Sequence, residues 1–277
     1  MTFASLSLRC RTLAVLALCG GLAFLAGCAQ TSPAQRSART DNSADFSIQQ
    51  GREIFAASFA NMTAQDEFYE NTLGVPRSVQ SFAAFKEVMT ATYTDPLVVD
   101  WLYAQLVRGA KRDEVFQELG VRMFRGIQRL DDTQSMAMLN GVAGMMGRLS
   151  AEQCVDFNRP KDGAEKSNHM ARMLQWLTPE ETRSFFGGLH QGMRAEFQGA
   201  PLRPAPTREQ FTAMFAALGK EVPGGLFAKS EGNSCRDAHR LISAVSRLDG
   251  PVRSHAITYL LYTLGLAGRA TPAKALA

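Results

Sequence analysis

The chain has 277 residues, 45% of them hydrophobic and 20% charged, a composition that excludes wholesale disorder. Its formal charge of +4, from 30 basic and 26 acidic residues, is too small to imply nucleic-acid binding without a localised basic patch. Five cysteines and four histidines leave little material for a metal-rich fold.

The N-terminus reads as an address. Arg9 and Arg11 give a short positive region, and the apolar run from Leu13 to Leu25 follows. That run is short for a membrane-spanning helix and suits the hydrophobic part of a signal peptide. It ends in Leu25-Ala26-Gly27-Cys28, which resembles the bacterial lipobox. The resemblance implies removal of residues 1–27 and acylation of Cys28, hence attachment to a lipid bilayer. It also implies, from Ala29 after the cysteine, an outer-membrane lipoprotein facing the periplasm, with the inner membrane and the cell surface left open. Each acyl methylene buried in the bilayer contributes about 0.8 kcal/mol. Cleavage takes two arginines away and lowers the formal charge to +2. Cys10 and Cys19 leave with the peptide and Cys28 takes lipid, so Cys154 and Cys235 remain. An oxidising compartment makes them a candidate disulfide, the alternative being two separate buried thiols.

Residues 28–45 are Ser-, Ala-, Thr- and Gln-rich without apolar periodicity, and read as the lipidated end and a flexible tether. Order is expected over 46–270, with a flexible tail at 271–277. The ordered part reads as all-α, a compact multi-helix domain or two closely packed helical halves near 46–158 and 167–266. Ile48, Ile54, Phe55 and Phe59 mark a first helix, Phe68 and Tyr69 a short second, and Gly74-Val75-Pro76 a break. Phe82, Phe85, Val88 and Met89 share one helical face. Asp95-Pro96 is an N-cap with proline at the first helical position, ahead of Val98, Trp101, Leu102 and Leu106. A further helix spans about Asp113 to Leu130, and Asp131 or Asp132 caps the next.

Thr133 to Leu149 carries four methionines, Met136, Met138, Met145 and Met146, beside Leu139 and Val142, and a glycine at 141, 144 and 147. The glycine ridge points to close packing in a bundle or to a kink, and the methionines to core filling, with a thioether copper site as the minor alternative. Ser150 with Gln153, Thr178 with Glu181 and Thr207 with Gln210 are capping boxes, predicting helices near 151–157, 179–197 and 208–218. Residues 199–206 hold three prolines and read as a solvent-exposed connection. Ser234 is a candidate cap for a helix with Leu241, Ile242, Val245 and Leu248. After Asp249-Gly250-Pro251, the run 252–266 reads as a core helix, with docking on a partner or membrane as the alternative.

Chemistry-bearing motifs are mostly lacking. There is no GxSxG elbow, HExxH, Walker loop, dinucleotide fingerprint, CxxC or ExxH pair. Asp237 and His239 are two apart and do not share a helical face. His190 and Arg194 are four apart and do. No catalytic residue, metal ligand or cofactor is assigned. The candidate partner surface is Arg122, Arg125 and Arg129, spaced to form one basic stripe that would grip an acidic protein or envelope polymer, or else lie solvated. The resulting expectation is an envelope-anchored, noncatalytic module binding another envelope or periplasmic protein. Immunity or inhibitor roles and assembly or scaffold roles both fit. The alternative is a periplasmic cell-wall hydrolase or related enzyme, with Glu180, Glu181 or Glu196 as a general acid; it calls for a cleft with two facing acids or a Ser-His-acid group.

Overall fold

The computed structural model describes residues 48–159, 164–222 and 233–263. Cys28, the signal peptide, the tether and the C-terminal tail lie outside the described residues. Among the described residues there are twelve helices and no strand: α1 Ile48–Ala64, α2 Asp66–Asn71, α3 Phe82–Tyr93, α4 Pro96–Val107, α5 Arg112–Ile127, α6 Asp132–Arg148, α7 Ala151–Asn158, α8 Ala164–Trp176, α9 Pro179–Phe197, α10 Arg208–Glu221, α11 Ser234–Ser246 and α12 Gly250–Thr263. The all-α expectation holds. No described helix is long and apolar enough to cross a membrane.

Local chemistry sets the helix starts. Asp95 accepts from the Leu97 N–H, with Pro96 at the first position of α4. Asp131 and Gln134, Ser150 and Gln153, Thr178 and Glu181, and Thr207 and Gln210 each close a reciprocal capping box. Each such cap stabilises its helix by about 1 kcal/mol. At α11 the cap is Asn233, which accepts from the N–H groups of Cys235 and Arg236, and Ser234 is the first helical residue. Asn233 sits one position earlier than the expected cap and serves the same orphan donors. Helix α8 had no clear sequence signal, because its leading residues are polar and its apolar positions Met170, Met173 and Leu174 come late.

Helix α9 is the hub. Its buried positions Thr182, Phe185, Phe186, Leu189, Gly192, Met193 and Glu196 recur at helical spacing, and it packs mainly on α6, α5 and α3. A division near residue 158 therefore does not partition the packing. Helix α6 is buried nearly all round, between α9 on one side and α11 on the other. Its glycines explain how. A Cβ on Gly141 would stand 2.8 Å from the Glu181 carbonyl oxygen, and one on Gly147 would stand 3.0 Å from the His239 ring. The α5–α9 crossing is closer still. A Cβ on Gly126 would lie 2.0 Å from the carbonyl oxygen of Gly192, so these two helices meet backbone to backbone.

The remaining helices dress this centre. α10 and α12 pair through Phe211, Phe215 and Tyr259, whose rings stack edge to face in a triangle. On α12, Ala256, Ile257, Leu260 and Leu261 are buried, as expected of a core helix. The proline-bearing connection at 199–206 is largely exposed but is pinned at one point. The Arg203 side chain donates to the Leu130 carbonyl, Asp132 and Ser135, and its backbone N–H donates to the Gln128 carbonyl. That fork of directional donors is what a composition-based reading of the segment leaves out.

Candidate functional site

The predicted site residues divide into a covalent staple and three arginines with separate fates. Cys154 on α7 and Cys235 on α11 are joined, with S–S 2.07 Å and Cα–Cα 5.7 Å. Both residues are buried. The staple ties α7 to the start of α11, where Asn233 also donates to the Leu149 carbonyl.

Arg122, Arg125 and Arg129 do not form a free basic stripe. The Arg129 side chain is only 10% exposed, and its Nε donates to Glu196 Oε2 at 2.5 Å. Glu196, 4% exposed, also receives Arg125 Nε at 3.5 Å. These contacts carry α5 onto α9. Arg122 takes a third course. Its Nε and Nη2 donate to Glu118 one turn earlier, while its guanidinium lies 5.3 Å from the Trp101 ring centre and 5.8 Å from that of Phe197. Trp101 and Phe197 themselves stack at 5.7 Å. Spacing correctly placed Arg122 and Arg125 on α5, and Arg129 falls in the turn just past its end. Spacing could not reveal an acid 67 residues away in sequence that neutralises one of them.

A second polar group was only half visible in the sequence. His190 and Arg194 share a face of α9, and both converge on Asp95 at the cap of α4. His190 Nε2 donates to Asp95 Oδ2 at 3.0 Å, Arg194 Nη1 donates to the same oxygen, and the Leu97 N–H holds the other. The Asp95 side chain is 2% exposed. Burial pushes its carboxyl up, but the bonds from His190, Leu97 and Arg194 outweigh burial and hold it below the ordinary carboxylate range. Glu181 follows the same logic. Burial raises it, and Arg148 with the Thr178 cap together bring it below its usual value.

No family model matches this chain, and no curated protein or solved structure does. The site is therefore read from its own chemistry. The acids that a glycan-cleaving pair would need have structural partners: Glu181 closes a capping box and pairs with Arg148, and Glu196 is held by two arginines. Glu180 is exposed. His239 Nδ1 is 2.9 Å from the Ala143 carbonyl oxygen, and its ring packs on Gly147. Among the described residues no three His, Cys, Asp or Glu side chains are grouped to hold a metal ion.

Beside the Asp95 group lies a cavity of about 50 Å³. Helices α3, α4, α5, α8 and α9 enclose it, and His190 forms part of its wall. Met89, Met123, Met170 and Met193 also line it, with Phe85 and Phe186.

Proposed function

We propose that this protein is an envelope-anchored lipoprotein whose helical domain binds another protein without chemical turnover. The observation that carries the binding reading is the Arg122–Trp101–Phe197 stack, together with exposed apolar side chains on α4 and α5. Leu106 and Val107 close α4 as exposed apolar side chains, and Val121 is 58% exposed on α5. Arg125, 56% exposed, lies one turn beyond Val121, and Arg122 lies over Trp101. Aromatic and arginine side chains are the usual anchors of protein interfaces, and Arg122, Trp101 and Phe197 meet on this side of the domain. The Cys154–Cys235 disulfide supports an oxidising compartment, in agreement with the address at residues 1–28. The tether then supplies reach from the bilayer. An immunity or inhibitor role and an assembly role both use such a surface.

The test is crosslinking in intact envelopes followed by identification of the captured protein. An acidic envelope partner is expected, with its yield sharply reduced by Arg122→Ala/Arg125→Ala. Arg129 is kept, because removing it strands Glu196. Undiminished capture by the double variant would reject this surface. Metabolic labelling with a palmitate analogue tests the anchor separately. Label lost in Cys28→Ala supports it, and label retained in that variant overturns it.

A further inference from the structure

We propose that the cavity beside Asp95 is a Cu(I) site whose ligands are drawn from the thioethers of Met89, Met123, Met170 and Met193 and the His190 imidazole. Size is the first argument. At about 50 Å³ the cavity is a third of the roughly 150 Å³ that admits benzene in an engineered apolar core, so it suits a single ion rather than an organic ligand.

Donor chemistry is the second argument. Thioether sulfur is soft and favours Cu(I), whereas hard divalent cations require oxygen ligands. Thioethers and a neutral imidazole bring no charge, and the nearby Asp95 carboxylate is balanced by Arg194. A monovalent ion is buried there at far lower cost than a divalent one.

The histidine is the third argument. With its Nε2–H given to Asp95, the tautomer that can bind a metal carries its lone pair on Nδ1. A carboxylate fixing the far nitrogen of an imidazole is the arrangement that orients metal-bound histidines. Asp95 is itself fixed by a backbone N–H and a guanidinium, which makes it a rigid support.

The methionines are not distributed as simple filler at this point. On α6, Met136, Met138, Met145 and Met146 are buried without lining the cavity. Here four methionines from α3, α5, α8 and α9 surround one void. Three are buried, and Met89 is half-buried, giving the ion a way in. Their flexible side chains allow the sulfurs to close on an ion smaller than the void.

The test uses the mature lipoprotein, residues 28–277 with Cys28 acylated and the Cys154–Cys235 disulfide intact, titrated anaerobically with Cu(I) against a coloured bicinchoninate chelator. One equivalent withheld from the chelator, with free thiols still undetectable, is the expected result. Met123→Leu/Met193→Leu preserves volume and should weaken binding by about tenfold or more, while Met145→Leu leaves it unchanged. Should the double variant fail to fold, Met89→Leu at the half-buried position is measured instead and should also weaken binding. X-ray absorption should show sulfur neighbours in the wild type. No Cu(I) withheld, or equal affinity in the cavity variants, would overturn the assignment.

Discussion

Two alanine substitutions in glycines of the same crossing pair should move stability in opposite directions. At Gly126 on α5 a Cβ would sit 2.0 Å from the Gly192 carbonyl oxygen, about 1.4 Å short of ordinary van der Waals contact. Neither atom belongs to a flexible side chain, so the helices themselves must part. Parting them strains the Arg129–Glu196 bond and loosens Ile127, which is fully buried. Overpacking of this kind costs about 1–3 kcal/mol, and loss of neighbouring contacts adds to it. Replacing a helical glycine by alanine returns only about 1 kcal/mol of propensity. Gly126→Ala should therefore be destabilising by roughly 1–3 kcal/mol net. At Gly187 on α9 nothing lies within 4 Å of the added Cβ, so the propensity gain stands alone. Gly187→Ala should stabilise by about 0.5–1 kcal/mol. In a domain of this size 1 kcal/mol corresponds to roughly 2–4 °C in Tm. Thermal and urea melts followed by circular dichroism measure both. A Gly126→Ala protein as stable as wild type would refute the backbone-to-backbone crossing.

Three further outcomes follow from the polar and covalent contacts. Opening the Cys154–Cys235 bridge, which spans 81 positions, should remove about 4–5 kcal/mol of stability, read as a lower urea midpoint with reductant. Arg129→Ala leaves Glu196 buried beside only the distant Arg125, and should cost about 3–5 kcal/mol, whereas Arg125→Ala should cost under about 1 kcal/mol. Asp95 is held below its ordinary pKa in the folded state, so its contribution is present above the unfolded value near 3.9 and is lost as pH falls through the lower folded value. Asp95→Asn should cost stability at neutral pH and flatten the loss below about pH 4. Denaturant midpoints across pH 2–7 measure it, and an unchanged acid limb would assign that limb to other carboxylates.

Local rules were legible wherever the interacting groups are close in sequence. Asp95-Pro96, Ser150 with Gln153, Thr178 with Glu181 and Thr207 with Gln210 need only three or four residues to define a helix start. The glycines at 141, 144 and 147 foretold close packing because the missing side chains are themselves the signal. Which helix they receive was not legible, since Gly141 meets α9 and Gly147 meets α11. The same boundary separates His190 and Arg194, whose shared face was readable, from Asp95, which lies 95 positions before His190. Arg129 illustrates the cost of reading one helix alone. A charge in the turn just past α5 looks solvated until α9 lays Glu196 across it. The methionine-lined cavity escaped for a related reason, because its four thioethers come from four separate helices.

The hub position of α9 has a bearing on the order in which the chain can become stable. Translation delivers α3, α5 and α6 first, and each reserves a face for a helix that begins only at Pro179. A nascent chain shorter than that exposes Phe85, Ile127 and Met138 together, along with the grooves left by Gly126 and Gly141. No N-terminal fragment ending before Pro179 can close the core. Commitment to the native state is thereby deferred until about two-thirds of the polypeptide has been made.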